Sequence, residues 1–271
     1  MSLLSARPFA ATTAGAATGG PPTPLGNVVA QYRVYVAGKL DDLTTNVANL
    51  RAAAEDQDRP TAKRRWLDAQ LTWQQIGAAY GSFGPAGTAI SGLANGLPGG
   101  VSDPGFTGLH RIEWGLYNGD SWSTIYKYAA RLVADVASLK ANFDKLTIVP
   151  TDMPIRCHEI LEDSLRDHLS LQSDYGSGMA YALTSADVLG TRVVLEELKP
   201  LIPTAVLGHS AYDLSNAALN ALDAALNATK VQQQWPDYRT LTKHQRQPVN
   251  GAIGGALEAL YRIPFVLGKL K

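Results

Sequence analysis

An all-α protein is predicted from three observations. Apolar residues recur at intervals of three and four over long stretches, as they do when one face of a helix is buried. Ala and Leu are abundant while runs of β-branched residues are scarce, a balance that favours helix over sheet. No stretch gives a convincing two-residue strand alternation. The expected architecture is a helical bundle, or two four-helix-type bundles in tandem forming one unit, with sub-bundles over about residues 25–147 and 148–271. A chain of 271 residues is long enough to bury a large core of this kind.

Met1 to Pro24 is rich in Ala, Thr, Gly and Pro, and Arg7 is its one charged side chain. It lacks the basic start and apolar run of an export signal and reads as a flexible leader or linker. From Leu25 to about Ala54 the residues Leu25, Val28, Val29, Tyr32, Tyr35, Val36, Leu40, Leu43, Val47 and Leu50 keep helical spacing. Pro60 suits the start of a second helix running to about Tyr80, with Trp66, Ala69, Leu71, Trp73 and Ile76 turned inward. Gly81 to Thr107 holds eight glycines and three prolines and reads as a long loop. Ser121 or Ser123 caps a helix whose inward row is Ile125, Tyr128, Leu132, Val136, Leu139, Phe143 and Leu146.

Asp152 and Pro154 open a helix reaching about Leu171. After Gly176–Gly178 comes a helix from roughly Ser185 to Lys199, stopped by Pro200 and Pro203. Another spans about Ser210 to Thr229, with Leu214, Leu219, Leu222 and Leu226 inward. Pro236 and Pro248 bracket a polar connector, and a last helix from Val249 to about Leu270 carries Ile253, Leu257, Leu260, Tyr261 and Val266 with a kink at Pro264.

Bulk properties exclude several functions. Twenty-four basic residues balance twenty-four acidic ones, so the chain has no net charge to draw it to nucleic acid or anionic lipid. The single cysteine, Cys157, rules out an intrachain disulfide and a multi-cysteine metal site, and reads as a small buried hydrophobe. No run of eighteen apolar residues occurs to span a membrane.

The chemistry concentrates in two places. After the glycine-rich segment, Gly105 to Tyr117 places His110 and Glu113 three residues apart in the opening turns of a helix, so that imidazole and carboxylate share a face. The second cluster is His158-Glu159-Ile160-Leu161-Glu162-Asp163, in which His158 and Glu162 share one face and Glu159 and Asp163 a neighbouring one. A mixed His/Glu site in a helical bundle suits iron or zinc. Two ligands are too few, and Glu159, Glu162 and Asp163 are the richest source of further donors. The plainer reading makes His110 a packed or capping histidine and Glu113 a solvated helix residue.

A zinc peptidase would need His-Glu-x-x-His, and His158-Glu159-Ile160-Leu161-Glu162 has Glu in place of the second His. No Gly-x-Ser-x-Gly elbow is present either. Catalysis is therefore not expected. Trp114, next to His110 in the chain, is a candidate ring for a cleft that recognises a polysaccharide or a protein partner without metal.

The segment from Gly105 to Glu113 resembles the Gly-x-His-x-x-Glu signature of the imelysin-like family, in its EfeO/EfeM form of bacterial iron-uptake component. Tyr32-Arg33-Val34-Tyr35-Val36, Asp41-Asp42-Leu43, Ser82-Phe83-Gly84, Lys127-Tyr128-Ala129, Leu132-Val133-Ala134-Asp135-Val136 and His158-Glu159-Ile160-Leu161-Glu162 follow in the order of that family. The resemblance runs from about Leu25 to the C-terminus. It implies paired helical bundles in one unit, exported beyond the inner membrane, that bind iron (zinc in vitro) for a membrane permease and work with a haem peroxidase. The family was once classed with metallopeptidases, and members can carry an N-terminal cupredoxin domain, which this sequence is read as lacking.

The expected metal ligands are His110, Glu113 and Glu162, with Gln74, Glu159 and Asp163 as further candidates. The sequence departs from the family pattern before and after its Ser-Phe-Gly. Gln74, Gln75, Ile76 and Gly77 stand where a Glu-x-x-Glu is usual, and Gly84-Pro85-Ala86-Gly87 lacks an acidic residue. Fewer carboxylates imply weaker capture of a hard cation. The expected function is thus an extracytoplasmic metal-binding component of iron uptake; the alternative is a binding or scaffold protein with a degenerate metal site.

Overall fold

A computed structural model describes residues 23–204 and 209–268. The leader expected over residues 1–24 therefore lies, as far as residue 22, outside the described residues. Among these the regular elements are helices: α1 (Pro24–Glu55), α2 (Arg59–Gln74), α3 (Tyr80–Ser91), α4 (Gly108–Asn118), α5 (Trp122–Asn142), α6 (Met153–Asp163), α7 (Ala180–Leu198), α8 (Ala211–Asn227), α9 (Lys243–Leu260) and α10 (Arg262–Leu267). No strand forms among the described residues; Val231 and Gln234 make one isolated bridge.

The hydrophobic spacing explains the packing. All the predicted inward residues of α1 are buried except Tyr35, which is half-buried. α1 packs on α2 and α5, α4 on α5 and α2, and α3 on α5 and α4. A second group forms where α7 meets α6 and α8, α9 meets α8, and α10 rests on α6. α7 also packs on α1 and α2, and a single continuous apolar core runs through both groups. Cys157 is fully buried in it, and burial pushes its thiol up to about 12.

Helix ends are fixed by specific donors. Thr23, Asp58, Ser121, Ser210 and Thr242 each accept a backbone N–H at the start of a helix. Arg33 donates to the carbonyls of Phe143 and Leu146 just beyond α5, and Arg59 to those of Gly115 and Leu116 in α4. At α9 the capping box is reciprocal: Gln245 N donates to Thr242 Oγ1 at 3.3 Å and Thr242 N to Gln245 Oε1 at 2.8 Å. Thr242→Ala is expected to cost about 1 kcal/mol, read as a lower urea midpoint with an unchanged slope.

The structure corrects the sequence reading at several places: α6 stops at Asp163 and passes into a π-helical turn instead of running to Leu171, and α7 begins at Ala180, five residues before Ser185. α2 ends at Gln74 rather than near Tyr80, because the chain turns through Ile76 into a short 3-10 segment, Gly77–Ala79. The expected loop contains α3, which tolerates its glycines by breaking its own path at Gly84, with φ 51 and ψ −131, just before Pro85. α9 starts six residues earlier than Val249 and carries Pro248 inside it, at an exposed position where water can satisfy the carbonyl that proline leaves unpaired. Tyr261 is 67% exposed rather than in the core, since the break between α9 and α10 turns it out. Leu71, Tyr128, Leu146, Leu214, Leu257 and Val266 are half-buried at the margins of the core.

Candidate functional site

α4 is held so that its second turn faces inward. Gly108 opens the helix with φ +75, a conformation that L side chains rarely adopt. Its Cα side also lies against α3 so closely that a Cβ would stand 2.1 Å from the carbonyl oxygen of Ile90. Thr107 Oγ1 donates to the carbonyl of Ala89 at 3.0 Å, and Trp66 Nε1 donates to that of Leu109 at 2.9 Å. These bonds fix the height and rotation of the residue that follows, His110.

His110 and Glu113 are both buried, at 3% and 1% exposure, and His110 Nδ1 lies 3.4 Å from Glu113 Oε2. The other carboxylate oxygen is used as well. Glu113 Oε1 accepts the backbone N–H of Tyr175 and of Ser177, each at 3.1 Å. Burial raises the Glu113 carboxyl above its ordinary range, opposed by its hydrogen bonds from His110 and Ser177. Glu113 is therefore neither a solvated helix residue nor a group facing open space. It acts as a clamp on His110: Nδ1 lies against the carboxyl group, and Nε2 is the ring nitrogen left to the cavity that His110 lines.

That cavity measures about 460 Å³. Its lining includes Trp73, Gln74 and Tyr80 at the junction of α2 and α3, Thr88 and Ser91 on α3, and Asp163, Arg166, Asp167, His168 and Ser173 from the end of α6 onward. Tyr80 stacks on Trp73 with ring centroids 5.0 Å apart, and its hydroxyl donates to the Trp73 carbonyl at 2.7 Å. Arg166 bridges the two acids: Nη1 reaches Asp163 at 2.8 Å, while Nε and Nη2 reach the two oxygens of Asp167 at 2.9 and 2.7 Å. Burial raises the Asp163 carboxyl, with Arg166 opposing that shift.

The predicted ligands are thus divided. His110, Gln74 and Asp163 line one cavity. Glu113 stands behind His110 rather than beside it. Glu162 does not line the cavity; it is 53% exposed and turns to His158 Nδ1 at 3.5 Å, as the four-residue spacing on one face of α6 dictates. Glu159 is bound to Arg156 in the same way, one turn back. At position 77, where a second carboxylate would be usual, a Cβ would lie 3.1 Å from Ile160 Cγ1, a tight fit that requires the Ile160 side chain to give way. Among the described residues, no three His, Cys, Asp or Glu side chains converge as a ready metal cluster. Trp114 packs against the small core of Ala94, Phe106 and Tyr175 and is not part of the cavity lining.

Sequence reasoning missed a second buried histidine. His168 sits at the end of a π-helical turn, Ser164–His168, which rotates its side chain away from the face counted from His158. Its Nε2 lies 3.2 Å from Asp187 Oδ2 and its Nδ1 lies 2.9 Å from Ser173 Oγ; Ser164 also donates to Asp187. Burial raises the Asp187 carboxyl, opposed by its contact with His168. A signal for it was available: Asp187 is the one charged residue in the run Ala180–Gly190, and a carboxylate in such a run needs a buried partner. The pair anchors the start of the segment that delivers the Tyr175 and Ser177 amides to Glu113. Asp187→Ala leaves His168 and Ser164 without their acceptor and is expected to cost about 3 kcal/mol, measured by urea unfolding.

Fold and site together describe an all-helical protein with a buried, oriented histidine on the wall of a polar cavity. The imelysin (peptidase M75) family model matches residues 28–248, and the chain belongs to that family. It is similar to proteins named iron uptake system component EfeO. The one from Escherichia coli O1:K1 / APEC is 23% identical over 244 residues, covering 90% of this chain and 64% of that protein. The one from Yersinia pseudotuberculosis serotype I (strain IP32953) is 23% identical over 240 residues, 89% of this chain and 64% of the relative. That from Yersinia pestis matches at 23% over 240 residues, 89% and 63%. The chain spans a little under two thirds of the length of these relatives.

Proposed function

We propose that this protein is the iron-binding component of a bacterial iron-uptake system, working outside the cytoplasm. The observation that carries the reading is the His110–Glu113 pair: a buried carboxylate fixes one imidazole nitrogen and leaves the other to a polar cavity. The names of the relatives supply the metal. His110 Nε2 is the first ligand in this proposal. Asp163 and Gln74, which line the same cavity, are the next candidates, while Glu162 is too far round α6 to contribute without rearrangement.

In this role the chain gathers iron and passes it to a membrane permease, with a haem peroxidase as the further partner of the system. No helix among the described residues is long and apolar enough to cross a membrane, which fits a component that hands cargo to a separate permease. The chain works as a carrier without peptidase activity. Incubation with unfolded protein and added zinc is expected to give no cleavage.

Calorimetric titration with ferrous ion under anaerobic conditions, and with ferric ion, tests the reading directly. His110→Ala is expected to weaken binding at least tenfold while leaving the fold intact. Equal affinity in wild type and variant would remove His110 from the site, and absence of binding to iron in either oxidation state, free or chelated, would overturn the function.

A further inference from the structure

The cavity lacks the inner ligands that a bare ion requires. Metal sites built by protein alone draw several side chains together at about 2.0–2.6 Å from the ion. Here no such trio converges among the described residues. Both oxygens of Glu113 are taken, and both Asp163 and Asp167 are held by Arg166. The His110 imidazole, one oxygen of Asp163 and the Gln74 amide are the donors the walls offer, spread round the cavity and not gathered as a cluster.

The space, by contrast, is generous. Water occupies roughly 30 Å³ per molecule in the liquid, so an ion with a full shell of six waters would fill less than half of the 460 Å³. Cavities of about 300–1,000 Å³ are the usual size for small organic ligands. The lining has the matching chemistry. Gly84 in the lining has open space where a side chain would stand, as suits a ligand that must approach the main chain closely. The Trp73–Tyr80 stack supplies aromatic surface, and Arg166 with its two acids leaves one uncompensated negative charge.

We infer that the cavity takes iron already held by a small, flat oxygen-donor chelator of the catechol class, with His110 Nε2 filling a coordination position that the chelator leaves open. The inference rests on the iron-binding reading above. A one-to-one ferric catecholate carries a single positive charge, which suits the acidic lining, and its ring suits the aromatic wall. A polycarboxylate chelate would bring further negative charge against Asp163 and Asp167.

The test is equilibrium dialysis of the whole chain against ferric ion and catechol mixed one-to-one, with iron and catechol measured separately. Both are expected to be retained in equal amounts, at least tenfold better than either alone. The visible charge-transfer band of the complex should shift on binding, and His110→Ala should abolish the shift. Ser91→Trp, which adds bulk to the cavity wall, should exclude the chelate, so that neither iron nor catechol is retained; Thr88→Phe serves the same purpose should that variant fail to fold.

Retention of iron with catechol left in the dialysate would overturn the chelate inference and leave the iron reading standing. Equal retention of catechol without iron would overturn it as well. Retention of neither would overturn both.

Discussion

Gly108→Ala is expected to destabilise the protein by about 3 kcal/mol or more, the largest single-residue effect anticipated outside the apolar core. Two costs add at this position. The residue sits at φ +75, which costs a residue with a Cβ about 1–2 kcal/mol. The new methyl would also stand 2.1 Å from the Ile90 carbonyl oxygen and 2.6 Å from that of Ala89, atoms of main chain that cannot rotate aside. Relief requires α4 to back away from α3, and this pulls on the Thr107–Ala89 and Trp66–Leu109 bonds that seat His110. Urea unfolding checks the loss. Gly251→Ala is the control, since a Cβ there meets nothing within 4 Å on the exposed side of α9; it should gain about 0.5–1 kcal/mol from helix propensity alone.

Substitution of Glu113 should separate folding from binding. Glu113→Ala removes the acceptor of two buried amides and of the His110 ring, and groups left unpaired in such a place cost about 1–3 kcal/mol each. A loss of about 3 kcal/mol is expected. Glu113→Gln is the more informative change. Its carbonyl oxygen can still take the amides of Tyr175 and Ser177, so stability should stay within about 1 kcal/mol of wild type. Its amide group, however, donates where the carboxylate accepted. The imidazole must then accept at Nδ1 and carry its proton on Nε2, which blocks the nitrogen facing the cavity. Iron affinity should fall by about 10–100-fold with the fold intact. Nitrogen NMR of the His110 ring reads the tautomer directly, and an unchanged Nδ1–H form in the variant would contradict the clamp.

Much of the helical framework could be read from the sequence because apolar spacing reports burial of a face, as the row from Leu25 to Leu50 illustrates. Local spacing also foresaw that His110 and Glu113 would meet, and that His158 and Glu162 would share a face. It could not say which face of α6 turns inward, since that depends on α7, α9 and α10 packed around it. So Glu162 was favoured as a ligand although Asp163, one residue on, lines the cavity. Distant partners were equally hidden. Nothing near Glu113 announces that amides 62 and 64 residues later will occupy its free oxygen. α3 was missed because glycine and proline weaken helix propensity, and here tertiary packing against α4 and α5 prevails over propensity.

The Glu113 carboxylate has one oxygen on a side chain of its own helix and the other on a segment that belongs to the opposite group of helices. Its geometry therefore records whether the two halves of the molecule are seated on each other. A fragment ending near residue 147 would keep the His-x-x-Glu motif entire and still lack the amides that hold it. The motif is contiguous in the chain, but the orientation that makes it chemically useful is a property of the assembled whole.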